Sequence, residues 1–145
     1  MESIDNAVRQ AAGPVYLIAH SLGSVAIAHW AADHDAGAIA GVLLVAPPWL
    51  TESDGCPQEL RDFQPMPTAK LPIPSLLVAS ETDPYIPMEV AVSLTRSWGS
   101  EFANVGRQRH INIASGHGPW PTGERLLQAS GLIETMWSAG VRLSR

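Results

Sequence analysis

Three runs of mostly branched apolar residues, Val15 to Ala19, Ile39 to Ala46 and Ser75 to Ala79, show no alternation of polar and apolar positions. Unbroken apolar runs mark strands buried on both faces, as in a parallel sheet. Between the first two lies Leu22 to Ala32, rich in Ala with Leu, Val, Ile and Trp and preceded by Ser21, which predicts a helix. A second helical pattern runs from Met88 to Trp98 just after Pro87, and Phe102 to Val105 predicts a short strand. Ser3 to Ala11 reads as a short helix. Gly123 to Leu143 reads as helical through its first part, with apolar positions at Leu126, Leu127, Leu132, Ile133 and Trp137.

Strands alternating with helices predict an α/β fold, a mostly parallel sheet with right-handed crossovers and helices on both faces. Residues 1–145 are expected to form a single, doubly wound domain. One stretch breaks the rhythm. Pro47, Pro48, Pro57, Pro65, Pro67, Pro72 and Pro74 rule out sustained helix or a central strand between the second and third apolar runs. A long irregular connection at the C-terminal end of a strand is expected to border a substrate site.

Composition narrows the class of function. With 46% apolar and 16% charged residues the chain suits one packed core, and a net charge of -5 provides no basic surface for nucleic acid. No apolar run approaches the roughly 20 residues that span a bilayer, and the N-terminus has no leader pattern, so a soluble, cytoplasmic protein without a membrane partner is expected. Cys56 is the sole cysteine and sits in a polar loop, where it reads as a passive thiol. No metal, nucleotide or flavin signature is present, and no cofactor is expected; Asp33-His34-Asp35 reads as a solvated loop.

The chemistry starts at Ala19-His20-Ser21-Leu22-Gly23, between the first strand and the first long helix. A Ser in a tight strand-to-helix turn is held in a strained conformation, and the residues two before and two after it must be small. Ala19 and Gly23 meet that need. The N–H of Leu22, at the helix N-terminus, then faces the place where an oxyanion develops. The competing reading makes Ser21 a plain helix cap.

An activated Ser requires a base and a carboxylate, following in the order Ser, acid, His in this kind of fold. Asp83, in Ser80-Glu81-Thr82-Asp83-Pro84-Tyr85-Ile86-Pro87 after the third strand, is the candidate acid, with Glu81 as a substitute and an ordinary Asp-Pro turn as the alternative. His20, His29 and His34 precede it, which leaves His110 and His117 as candidate bases that spacing hardly separates.

Three segments together bear a resemblance: His20-Ser21-Leu22-Gly23; Thr82 through Pro87; and His110-Ile111-Asn112-Ile113-Ala114-Ser115-Gly116 running into Gly118-Pro119-Trp120-Pro121-Thr122-Gly123. The chain resembles the serine hydrolases related to retinoblastoma-binding protein 9, within the α/β-hydrolase superfamily, over nearly its whole length. The resemblance implies an α/β-hydrolase-like three-layer sandwich with Ser21 as nucleophile, His110 rather than His117 as base, and Asp83 as the acid. It implies hydrolysis of esters, thioesters or small amides. Arg109 stands where such proteins usually have Gly. The strand, loop and helix that normally precede the nucleophile strand are not matched, so an N-terminally shortened domain is expected. On that expectation the first strand forms an exposed edge open to a protein partner or to self-association, one oxyanion donor is lacking and activity is weak. A non-catalytic protein-binding module on the same scaffold is the alternative. Among the remaining residues, His20 and Trp49 are assigned to the substrate-binding surface.

Overall fold

A computed structural model describes residues 2–50 and 58–132. The expectations for Cys56, Ile133 and Trp137 lie outside the described residues. Four strands, β1 (Val15–His20), β2 (Ile39–Val45), β3 (Ser75–Ala79) and β4 (Glu101–Asn104), form one sheet in the order β1-β2-β3-β4 with every pair parallel. Among the described residues four α-helices accompany them: α1 (Glu2–Gln10), α2 (Leu22–Asp33), α3 (Met88–Trp98) and α4 (Pro121–Ala129). Among the described residues, the proline-rich stretch contributes a short 3₁₀ helix at Gln58–Phe63.

Successive residues of a strand point to opposite faces, and the core divides accordingly. Val42, Leu44 and Leu77 join one cluster with Val8 of α1, Ile27 and Trp30 of α2, and Leu94 and Trp98 of α3. Leu43, Val45, Leu76 and Val78 face the other way, under Ile111, Trp120, Leu132 and the α4 residues Leu126 and Leu127. The three layers are those expected, but the winding is not. Each strand is added on the same side of the last, so crossovers of one hand lie on one face, and a reversal of strand order is absent among the described strands. Trp98 closes this layer, fully buried with its Nε1–H donating to the Pro67 carbonyl at 2.7 Å. No helix among the described residues is long and apolar enough to cross a membrane.

Two consequences of the sheet bear on the site. β1 pairs only with β2 among the described strands, leaving Ile18 65% exposed. The register aligns His20 with Val45, Val45 with Val78, and Ala79 with Asn104, so the C-terminal ends of all four strands fall on one edge. The loops that follow β1, β3 and β4 therefore meet in space.

Candidate active site

Ser21 sits between β1 and α2 with φ 55° and ψ -128°, a conformation unfavourable for any residue with a Cβ. Its N–H donates to the Val45 carbonyl at 2.8 Å, which ties the strained turn to β2. Its hydroxyl makes no cap bond to the helix, so the capping alternative is set aside by geometry. Ala19 and Gly23 face each other across the turn: a Cβ built on Gly23 would lie 3.6 Å from that of Ala19, in ordinary contact. One methyl group at this crossing leaves no clash, which is the physical reason Ala is accommodated at position 19. Leu22 opens α2, and an N–H in the first turn has no acceptor within its own helix.

The loop after β3 supplies Asp83, whose side chain is fully buried. Asp83 Oδ1 accepts the Tyr85 N–H at 2.9 Å, an Asx turn that fixes the carboxylate plane. The loop after β4 supplies His110, and it is moored to the first loop by two hydroxyls. Gln108 N–H donates to Ser80 Oγ at 2.9 Å and Arg109 N–H to Thr82 Oγ1 at 3.0 Å. Arg109 (φ 51°) and Ile111 (φ 48°), on either side of His110, both occupy the left-handed region. Residues with a Cβ are strained there by roughly 1–2 kcal/mol each.

These loops bring Ser21, His110 and Asp83 into one hydrogen-bonded line. His110 Nδ1 lies 2.9 Å from Asp83 Oδ2 and 3.1 Å from Oδ1, and its Nε2 lies 2.8 Å from Ser21 Oγ. A carboxylate only accepts, so Nδ1 carries the hydrogen and Nε2 is left to receive the Ser21 proton. The arrangement is able to deprotonate the hydroxyl as it attacks and to deliver that proton to a leaving group. The His110 ring is flanked by His20, with centroids 4.8 Å apart, and by the edge of Tyr85, 4.5 Å away.

The other candidates are placed elsewhere or nearby. His117 Nε2 is 3.1 Å from Gln108 Oε1, and the imidazole that meets Ser21 and Asp83 is that of His110. Glu81 Oε1 accepts from Asn104 Nδ2 at 3.1 Å. Trp49 shares with Ser21, Leu22, Pro48, Leu50, Tyr85 and His110 the walls of a depression of about 240 Å³. His20 borders a larger cavity of about 670 Å³, walled also by Ile18, Leu43, Val45, Ile111 and Trp120, and its Nε2 lies 2.8 Å from the His110 carbonyl. The mooring residues Ser80 and Thr82, the aromatic wall of Tyr85 and the tie from His20 were not read from sequence. Their only signal was proximity to Asp83 or Ser21 along the chain, since the partner loop lies far away in sequence.

A family model described as serine hydrolase matches residues 1–129. A YdeN-like hydrolase from Pectobacterium atrosepticum is 33% identical, with a TM-score of 0.73 over 91% of this chain and 68% of that one. The ydeN gene product of Bacillus subtilis is 17% identical, with a TM-score of 0.70 over 89% of this chain and 72% of that one. A monoacylglycerol lipase from Paleococcus ferrophilus is 14% identical, with a TM-score of 0.63 over 92% of this chain and 73% of that one. No curated protein matches the chain.

Proposed function

We propose that this chain, which belongs to the serine hydrolase family, cleaves carboxylic esters, thioesters or small amides through an acyl-enzyme on Ser21. In the first half-reaction Ser21 Oγ bonds to the substrate carbonyl carbon while His110 Nε2 takes the hydroxyl proton. Collapse of the tetrahedral adduct breaks the bond to the leaving group, which departs with the proton from Nε2. In the second half a water molecule repeats the sequence, with His110 as base and Ser21 as leaving group. Asp83 holds the Nδ1–H tautomer and stabilises the transient imidazolium, and the Leu22 N–H at the start of α2 donates to the oxyanion.

The observation that carries this reading is the pair of contacts made by one imidazole, 2.9 Å to the carboxylate and 2.8 Å to the hydroxyl. A Ser that served only to begin a helix has no need of a buried His and a buried Asp behind it. The depression lined by Trp49, Leu50 and Tyr85 is apolar and small, which favours short apolar acyl groups. Narrower kinship with the retinoblastoma-binding-protein-9-like hydrolases rests on the segments around Ser21, Asp83 and His110.

Labelling by a fluorophosphonate tests the proposal, because the reagent forms a stable bond only with an activated Ser. Native protein should label stoichiometrically, Ser21→Ala not at all and His110→Ala at a rate reduced at least a hundredfold. A folded native protein that stays unlabelled refutes the catalytic reading and leaves a binding module on a hydrolase scaffold.

A further inference from the structure

His20 immediately precedes the nucleophile, yet its ring turns toward the base. Its Nε2 lies 2.8 Å from the backbone carbonyl of His110, ninety positions further along the chain. A carbonyl offers no hydrogen, so His20 Nε2–H is the donor. The two rings also pack against each other, tilted by 59°. Two adjacent residues of one turn thus grip His110 at both ends: Ser21 Oγ meets the imidazole and His20 holds the main chain.

The His110 backbone needs such a hold. It lies between two left-handed residues, Arg109 and Ile111, in a segment that would relax by moving if released. The hydroxyls of Ser80 and Thr82 secure Gln108 and Arg109 to the loop after β3, which sets the distance to Asp83. His20 is the tie that runs from this loop to the nucleophile strand, and so bears on the distance to Ser21.

We infer that His20 is a positioning residue for the proposed reaction, fixing His110 against Ser21 through a hydrogen bond to the His110 carbonyl. The inference rests on the catalytic reading given above, and it differs from a substrate-lining role for His20. Misplacing a catalytic group by about 1 Å costs on the order of a hundredfold in rate, and a substrate still binds. The effect therefore belongs in kcat.

Two amides separate this role from simple bulk. In Gln the terminal nitrogen is as many bonds from Cβ as Nε2 is in His, whereas in Asn it matches Nδ1 and falls short of the carbonyl. His20→Gln should keep kcat for a p-nitrophenyl ester within about threefold of native, while His20→Asn and His20→Ala lose about 10- to 100-fold with KM nearly unchanged. Native kcat in His20→Ala overturns the inference. So does an equal loss in Gln and Asn, or a change confined to KM.

Proton NMR of the His110 Nδ1–H, donated to Asp83, provides a readout without turnover. Its low-field signal should persist in the native protein and in His20→Gln, and broaden through faster exchange in His20→Ala and His20→Asn. A sharp signal in all four overturns the inference. Ser21→Ala reports on the catalytic reading separately, since it removes labelling and leaves the His20 tie intact.

Discussion

Replacing Asp83 by Asn tests the electrostatic logic of the site with almost no change of shape. Asp83 Oδ1 accepts the Tyr85 N–H at 2.9 Å, and Oδ2 receives His110 Nδ1–H at 2.9 Å. An Asn side chain must keep its oxygen on the Tyr85 side, because an NH₂ there would face another donor. Its NH₂ then takes the place of Oδ2 and points at Nδ1. Two donors cannot share that contact, so the imidazole adopts the other tautomer, with Nδ1 accepting and the hydrogen on Nε2. Nε2 can then no longer receive the Ser21 proton across 2.8 Å. Loss of the correct tautomer in a Ser-His-Asp site lowers kcat by about 10⁴, equivalent to about 5 kcal/mol of barrier. The assay is steady-state turnover of an activated ester together with the second-order rate of fluorophosphonate labelling, and both should fall by similar factors with little change in KM. Coincident melting curves for Asp83→Asn and native protein would show that the buried site is still folded. An Asn variant retaining kcat within tenfold of native would refute the assigned role of Asp83.

Three further substitutions probe backbone and packing. Ser21→Gly should be more stable than Ser21→Ala by about 1 kcal/mol, because release of the strain at φ 55° exceeds the extra chain entropy of Gly; equal melting temperatures would argue that the turn is unstrained. Gly123→Ala should destabilise by about 1–3 kcal/mol in urea titrations despite the better helix propensity of Ala, since the new methyl would collide with the Trp120 ring packed over α4; a gain in stability would show that the ring moves aside freely. Trp98→Phe leaves the Pro67 carbonyl without its donor and opens space beside α3, so a loss of about 2–3 kcal/mol is expected, and a loss below 1 kcal/mol would contradict its place as a core anchor.

The strands were legible because their signal is contiguous. Ile39 to Val45 and Ser75 to Ala79 are buried almost throughout, and an unbroken apolar run states that burial directly. β4 is less legible: it starts at Glu101, one residue before the apolar run suggests, and Val105 has already turned out of it while its N–H bonds to Ala79. α4 likewise begins at Pro121, where a proline suits the first turn, rather than at Gly123. In the candidate site, the turn that holds Ser21, the proposed nucleophile, was readable because strand, turn and helix are consecutive. The pairing of His110 with Asp83 was not readable from spacing, for it depends on two loops meeting at the sheet edge through the β3–β4 register. His117 lies only a few residues on, and nothing in its local pattern reveals that its ring meets Gln108 while that of His110 meets Asp83.

Strain is distributed in the same way. The four non-glycine residues with positive φ among the described residues are Ser21, Ala46, Arg109 and Ile111, and all lie in segments leaving the C-terminal edge of the sheet. Such conformations persist only where the surroundings over-determine them. The surroundings do so here: Ser21 N–H is held by Val45, Ala46 N–H by Val78, Arg109 N–H by Thr82 and Ile111 N–H by Gln108. Three of these ties run from a strained residue to a strand end or a neighbouring loop, and the fourth closes a turn within the His110 loop itself, so the stable sheet holds most of the strained edge. Cutting one tie should then alter the geometry of the site long before it threatens the fold. That separation makes kcat, more than melting temperature, the sensitive measure of substitutions around Ser21 and His110.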